Sequence, residues 1–453
     1  MGALDQISTE SATRRTIEAT RFRYDELPAD VVSLAKICLL DLVGVALAGA
    51  SHRSVEILVE EAETRGDAAA CTIMGRRDRT GPLDAALING TAGHALDYDD
   101  VNMAMNGHPT VPVAPALLAL AEQNRLDGKA LLAAFVTGYE AGGRIGSLVQ
   151  PSHYARGFHI TATVGTLASS LAAAALLGLD DAGRETALSI AISFASGITS
   201  NFGTMCKPLH AGRAAQNGLM AARLAWRGFT ANSRMLEAYK GFAGVYGDGI
   251  AAAIDVAEPR NGFHIRDNLF KHHAACYGVH ASIEAAHDLL ARGIKPEAVN
   301  SLLVRAPVIA RDICNIPEPE TGDEAKFSFR LAVALGMLGA DTADPALYSA
   351  ATAADPRYVA MRDRVHVEFV PEFTNNACEL IAELSDGSQT VASYDSGTPL
   401  GDTPRQRSLI TAKFDSLAIP VLGPAKAARL RDGLLELEEC DDLGALLSLT
   451  RPD

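Results

Sequence analysis

Apolar residues recur at helical spacing through most of the first two-thirds of the chain, where alanine and leucine dominate and β-branched runs are scarce. Glycine, aspartate, asparagine or proline separates one apolar stretch from the next. The pattern predicts helices over Leu27 to Ala50, Leu131 to Val149, Thr161 to Leu179, Glu185 to Ser196 and Ala211 to Trp226. This part of the chain is therefore expected to form an all-helical domain.

The pattern changes after about residue 265, where short stretches typical of strands begin. Strands are predicted over Leu302 to Ala306, Arg364 to Phe369, Glu379 to Leu384 and Gln389 to Tyr394. The last two form a hairpin across Ser385-Asp386-Gly387-Ser388, because Asp-Gly favours a tight reversal. Helical patterns lie between the strands, as at Phe329 to Leu338, and they return from Pro404 onward, as at Ala425 to Glu438.

A chain of 453 residues exceeds what one hydrophobic core usually serves, so more than one domain is expected. The fold class is predicted to be mainly α, with a large all-helical domain and a smaller inserted α+β domain. Residues 1–265 form the first helical segment, 266–399 the α+β domain and 400–453 the carboxyl-terminal helical segment.

Composition narrows the function classes. Hydrophobic residues make up 48% and charged residues 21%, as in ordinary globular proteins, and no stretch is read as a membrane span. The segment Met1 to Arg15 is polar, and seven cysteines form no CxxC pair, so a reducing, cytoplasmic compartment is expected. The net charge of -15 argues against nucleic acid and anionic membranes as partners. Clusters of histidine and lysine are informative against this background.

Two polar stretches lie ahead of predicted helices in the first half of the chain. His94 to Asp100 is followed by Gly107-His108-Pro109-Thr110, where the proline should keep His108 in a loop near a helix start at Pro112 to Pro115 that suits an anion. A polar helix end, or a magnesium site of Asp97, Asp99 and Asp100, would give the same pattern. Tyr154 to His159 could bind a carboxylate and move a proton, although a surface loop would look alike.

Two further stretches carry lysine and histidine. In Cys206 to Arg213, Pro208 is predicted to hold Lys207 in a loop, where most lysines are simply solvated. Lys271 to Cys276 leads into a helix, and His273, Cys276 and His280 could share one helical face as a zinc site, although helical packing explains them more simply. No GxSxG, HExxH or Walker sequence occurs, so serine hydrolase, metalloprotease and P-loop functions lack support.

Taken together, these stretches resemble the MmgE/PrpD family: HALDYDD with GHPT, GFHITATVGT, KPLHAGRAAQNG and KHHAACYGVHASIEAA, in this order. The resemblance covers nearly the whole chain. It implies a helical domain built from both ends of the chain, an inserted α+β lid domain, a homodimer, and an active site between the domains without metal or organic cofactor. It also implies a small di- or tricarboxylic acid as the substrate.

The resemblance implies Asp97, His108, His159 and Lys207 as catalytic residues and Lys271 as a lid lysine. With Tyr154 and Cys276, Lys271 is predicted to bind substrate, and no metal ligand is predicted. The chemistry is reasonable, because a proton beside a carboxylate is released only if cationic donors stabilise the resulting enediolate.

Several reactions stay open within the family. Cys276 stands where a histidine is expected in members that release carbon dioxide, and His108 follows Asp97 by 11 positions, which is slightly long. The first prediction is therefore a 2-methylcitrate dehydratase-like lyase, followed by an epimerase of an iminodisuccinate-like acid and then a cis-aconitate decarboxylase-like enzyme. Dehydration and epimerisation begin with the same proton abstraction, so the sequence does not separate them. A non-catalytic metabolite-binding protein is the alternative from another class.

Overall fold

The computed structural model describes residues 11–66, 69–248, 258–373 and 376–453, so most of the polar amino-terminal segment lies outside the described residues. The protein is mainly α-helical, as predicted. The α-helices are Ala12–Ala19, Ala29–Gly49, Arg53–Glu63, Pro82–Ala95, Thr110–Asn124, Gly128–Val149, Ser152–Ala155, Ile160–Leu176, Asp181–Phe194, Cys206–Trp226, Phe242–Tyr246, His280–Ala291, Gly322–Ala325, Phe329–Met337, Ala350–Ala353, Pro356–Arg362, Thr403–Leu422, Pro424–Leu435 and Leu443–Ser448. The strands are Cys71–Thr72, Arg79–Thr80, Val101–Asn102, Asn268–Leu269, Val299–Pro307, Val365–Val370, Ala377–Leu384 and Gln389–Asp395.

The largest apolar core joins helices from both ends of the chain. Val43, Phe135, Phe414 and Leu430 are all buried in it. Helix Ala29–Gly49 is long and apolar enough to cross a membrane by length and composition alone, which differs from the sequence interpretation. Its apolar window is 78% buried within the protein, as expected for a core helix, because a helix that is hydrophobic all round needs neighbours on every side.

The four predicted strands form one sheet, in the order Val365–Val370, Val299–Pro307, Ala377–Leu384, Gln389–Asp395. The first pair is parallel and the others are antiparallel. The predicted hairpin turn is present, and Gly387 adopts a positive φ of 81° that glycine tolerates. Helices His280–Ala291 and Phe329–Met337 pack on this sheet and form a second apolar cluster with it. The cluster also includes Val45 and Leu417, which belong to helices Ala29–Gly49 and Thr403–Leu422. The domain boundaries at 265 and 399 stay a prediction.

Two helices approach very closely beside the first polar stretch. A Cβ atom on Gly212 would lie 2.2 Å from the carbonyl oxygen of Leu87, and one on Gly90 would lie 2.8 Å from Cα of Gly212. Helices Pro82–Ala95 and Cys206–Trp226 can therefore cross at this point only because glycine occupies it. The crossing places the end of the first helix next to the start of the second.

Two local predictions are wrong. Lys207 does not lie in a loop but in the first turn of helix Cys206–Trp226, because the missing N–H of Pro208 costs nothing where the backbone N–H groups have no helical partner. His273, Cys276 and His280 do not share a helix, since the chain is irregular up to Cys276 and the helix begins at His280. The three residues therefore do not share the helical face on which the zinc hypothesis depended.

Candidate active site

The structure brings all seven predicted site residues together. A single cleft is lined by five of them: His108, Tyr154, His159, Lys207 and Cys276. Asp97 and Lys271 lie directly behind the cleft, joined to Lys207 through the Asp97 carboxylate. The cleft is lined both by residues between 101 and 207 and by residues between 276 and 376. A shared catalytic role of these residues requires this convergence on one cleft.

Asp97 gathers positive charge behind the cleft. Its Oδ1 lies 2.6 Å from Nζ of Lys271 and 3.0 Å from Nζ of Lys207, and Lys271 also donates to the Asp97 carbonyl at 2.6 Å. Burial alone would raise the pKa of Asp97, but the two ammonium groups hold it well below its usual value. Two ammonium groups therefore share one carboxylate beside the cleft, and that of Lys207 lies in the cleft lining, where it can pair with an acidic substrate.

The backbone of Asp97 is unusual as well. Its φ of 50° lies in the left-handed region, which few residues other than glycine adopt. Asp97 follows directly on the end of helix Pro82–Ala95, and its amide donates to the carbonyl oxygen of His94. This turn directs the carboxylate toward the two lysines.

His94 belongs to the first polar stretch, but the sequence did not predict it as a site residue. Its Nε2 lies 3.0 Å from Nζ of Lys207 and its Nδ1 lies 2.8 Å from Oδ1 of Asp99. Burial lowers the pKa of His94 to about 3, so the ring is neutral at pH 7. Because the ammonium group of Lys207 donates, Nε2 accepts and Nδ1–H donates to Asp99. The chain Asp99, His94, Lys207 fixes the ammonium group in the cleft wall.

His108 shares the same carboxylate. Its Nδ1 lies 3.0 Å from Oδ2 of Asp99, and its Nε2 lies 3.7 Å from Oδ1 of Asp97. Burial lowers the pKa of His108 despite the attraction of Asp99. The backbone amide of His108 donates to Oγ1 of Thr161, and the helix that follows starts at Thr110. As predicted, His108 lies outside the helix, with its ring in the cleft wall.

His159 is the N-cap residue of helix Ile160–Leu176 and lines the cleft together with Lys207. Its Nδ1 lies 3.1 Å from Nδ1 of His210, and its ring packs edge-on against Phe202. Burial, together with the charge of Lys207, lowers the pKa of His159 well below its usual value. His210 was missed, although its position three residues after Lys207 places it one helical turn away.

The part of the cleft lined by residues 276–314 is mostly apolar. Ile309, Ala310 and Ile313 line it together with the thiols of Cys276 and Cys314. Tyr154 also lines the cleft, and burial raises the pKa of its phenol. Residues 108–207 therefore bring the histidines and the lysine to the cleft, whereas residues 276–314 bring mainly apolar and weakly polar groups.

A metal alternative has some geometric basis. The possible ligand atoms of His94, Asp97, Asp99 and His108 lie within 4.8 Å of one another. A divalent cation there would, however, face both ammonium groups that already occupy Oδ1 of Asp97. The magnesium hypothesis also needed Asp100, whose Oδ2 instead accepts a hydrogen bond from Thr110. The charge arrangement favours ion pairs over a bound cation.

Comparison with known proteins agrees with the resemblance seen in the motifs. The family model described as the MmgE/PrpD N-terminal domain matches residues 18–254, and the MmgE/PrpD C-terminal domain matches residues 273–439. The chain is similar to cis-aconitate decarboxylase of Homo sapiens, at 28% identity over 93% of this chain and 90% of the relative. It is also similar to cis-aconitate decarboxylase of Aspergillus terreus, at 29% identity over 95% and 94%. These similarities support an enzyme of lyase type that acts on a carboxylic acid. The chain belongs to the MmgE/PrpD family.

Proposed function

We propose that the protein is a lyase that moves a proton at a carbon beside a carboxylate of a small di- or tricarboxylic acid. The observation that carries this proposal is the convergence of His108, His159 and Lys207 on one cleft, with a second lysine paired behind them. Imidazoles with lowered pKa values are free to accept a proton at pH 7. Ammonium groups can stabilise the negative charge that then develops on the substrate.

The position of each residue in the cleft suggests its role in the reaction. Lys207 is held by His94 and Asp97, so its ammonium group is oriented before the substrate arrives. His159 and His108 both line the cleft and are the candidates for the base. A base removes the proton beside the carboxylate, and the enediolate charge develops next to Lys207. In dehydration a β-hydroxyl then leaves as water, whereas in epimerisation the other face is reprotonated.

Dehydration of a 2-methylcitrate-like hydroxy acid is the first candidate reaction. The apolar wall of Ile309, Ala310 and Ile313 can accept a methyl substituent next to the polar carboxylates. Decarboxylation of a cis-aconitate-like acid is the second candidate, and the relatives named above favour it. Cys276 stands against it, because a histidine is expected there in members that release carbon dioxide.

A substrate panel tests the proposal. Purified protein is incubated in deuterated water with 2-methylcitrate, citrate, cis-aconitate or iminodisuccinate, and NMR follows product formation and deuterium uptake. Uptake without net product indicates proton abstraction, loss of water indicates a dehydratase, and release of carbon dioxide indicates a decarboxylase. The Lys207→Ala protein serves as the control for contaminating activity. Binding of these acids without uptake or turnover would instead identify a metabolite-binding protein.

Metal independence is tested with the same assay. We propose that ammonium and imidazole groups supply the charge, so turnover should survive prolonged treatment with a chelator. Loss of turnover on chelation, restored by zinc or magnesium, would contradict this and would identify the His94, Asp97, Asp99 and His108 group as the ligands.

A further inference from the structure

Two cysteines from separate parts of the chain meet at the cleft. Sγ of Cys314 donates a hydrogen bond to Sγ of Cys276 at 3.3 Å, although the residues are 38 positions apart. Cys276 is partly exposed and Cys314 is buried. Both thiols pack against Gly278, where a Cβ atom would lie 2.9 Å from Sγ of Cys314. The missing side chain at Gly278 leaves the space in which the two sulfurs meet.

The surroundings distinguish the two thiols. The hydrogen bond from Cys314, aided by the charges of Lys271 and Lys207, lowers the pKa of Cys276 against the opposing effect of burial. The same contact and burial raise the pKa of Cys314. A partly exposed cysteine with a lowered pKa, 3.3 Å from a buried thiol, is the arrangement of an attacking and a resolving cysteine.

We propose that Cys276 and Cys314 are a redox-active pair that closes to a disulfide within the cleft when the protein meets a peroxide. The Cys276 thiolate attacks one peroxide oxygen, the O–O bond breaks, and the leaving hydroxide takes up a proton as water. The sulfenic acid formed on Cys276 is then attacked by Cys314, whose proton leaves with the displaced hydroxide as a second water. Two thiols are thus oxidised by two electrons while the peroxide is reduced to two molecules of water.

Little movement is needed for the second step. A disulfide has an S–S distance of about 2.0 Å, so the sulfurs must approach by only a little over an ångström. The new bond draws Sγ of Cys276 toward Cys314 and away from the cleft, and it removes the thiolate charge beside the lysines. Substrate turnover is therefore lost in the oxidised protein and returns on reduction.

Trypsin separates the two cysteines cleanly, since fragments His272–Arg292 and Asp312–Lys326 contain one cysteine each. Native protein is treated with hydrogen peroxide, remaining thiols are alkylated, and the digest is analysed by mass spectrometry. We expect these two fragments joined, with the loss of two hydrogens, and separated again by dithiothreitol. The joined fragment should be absent from Cys314→Ser protein, in which dimedone should label Cys276, and present in Cys440→Ser protein, the matched control for a partly exposed cysteine elsewhere.

This readout requires no substrate, so it is independent of the function proposed above. Peroxide-treated wild-type protein decides the matter even if Cys314→Ser does not fold. Cys276 that stays alkylatable, or that oxidises while Cys314 remains a free thiol, would overturn the pair. With the substrate found by the panel, turnover should fall in proportion to the joined fraction and recover with dithiothreitol. Complete formation of the disulfide with unchanged turnover would contradict the proposed loss of activity in the oxidised protein.

Discussion

Lys207 is the residue on which the site geometry depends most. Its Nζ lies 3.0 Å from both Nε2 of His94 and Oδ1 of Asp97, and the side chain is almost fully buried. A cation held on two sides in this way does not have to reorient when negative charge develops on the substrate. Preorganised donors of this kind stabilise a transition state more than a ground state.

Lys207→Ala should therefore lower kcat by roughly a hundredfold or more, the usual scale for deleting one such donor. Steady-state kinetics with the substrate identified by the panel provide the measurement. Lys295→Ala, which changes an exposed lysine, is the matched control and should leave both kcat and KM unchanged. A higher KM with an unchanged kcat would show instead that Lys207 only pairs with the bound substrate.

The lowered pKa of His159 leads to a prediction about the pH dependence of kcat/KM. Since burial lowers the pKa of His159 well below its ordinary value of 6.5, the acid limb of kcat/KM should lie below pH 6.5 if this ring is the base. The rate falls there because the protonated ring cannot accept a proton. His159→Ala should lower kcat and remove or displace that limb. An unchanged limb in a folded variant, checked by circular dichroism, would assign the base to another group such as His108.

At the scale of elements, the hydrophobic pattern predicted where helices and strands lie. It did not predict which of them contact each other. The predicted helix over Leu131 to Val149 is present as Gly128–Val149, and the strand over Gln389 to Tyr394 is present as Gln389–Asp395. The first turn of Cys206–Trp226 was missed because Pro208 was interpreted as a loop signal. The contact between His94 and Lys207 joins residues 113 positions apart, and periodicity within each helix carries no information about that pairing.

The close helix crossing at Gly212 should affect both the stability of the protein and the position of Lys207 in the site. Gly212→Ala would place a methyl group against the Leu87 carbonyl and Thr91, so the two helices must separate. We expect a loss of about 1–3 kcal/mol in the free energy of unfolding, as for other overpacked contacts, measured by urea denaturation. A lower kcat should accompany it, because Lys207 shifts relative to His94.

Gly244→Ala is the matched control. Gly244 also lies in a helix, but a Cβ atom there would meet nothing within 4 Å. The free energy of unfolding of the Gly244→Ala protein should be unchanged or slightly higher, since alanine favours a helix more than glycine does. Equal stability of the Gly212→Ala and wild-type proteins would show that the helices can adjust at no cost.

At the scale of the whole molecule, the homodimer stays a prediction from family resemblance. Trp226, Phe229 and Tyr239 are each more than half exposed, and we expect a partner subunit to cover them. Sedimentation should give a mass of twice 47.6 kDa. The double variant Trp226→Glu, Phe229→Glu should shift it toward the monomer, whereas Tyr394→Glu, on an exposed strand, should not. A wild-type monomer at all concentrations would contradict the prediction.

The pH dependence of stability also belongs to the whole chain, because several histidines are buried in neutral form. Burial lowers the pKa of His94 to about 3 and those of His159 and His280 well below 6.5, the ordinary value that they regain on unfolding. Below pH 6.5 each of these histidines binds a proton more readily in the unfolded chain than in the folded protein, so together they make the free energy of unfolding fall with falling pH. Asp100, whose pKa burial raises to about 7, opposes part of this fall. Each such histidine contributes about 1.4 kcal/mol per pH unit. Asp97 and Asp99, whose pKa values are also lowered, add to the loss only below their ordinary value of 3.8.

Urea denaturation between about pH 7.5 and about pH 4.5 should show a stability that is flat at the upper end and declines steeply below about pH 6.5. His280→Phe removes one buried imidazole outside the cleft lining and should make the decline shallower. His366→Gln, which changes an exposed histidine on strand Val365–Val370, should leave the slope unchanged. A stability that stays constant down to about pH 5 would contradict the prediction, because the buried rings would then bind protons in the folded protein as readily as in the unfolded chain.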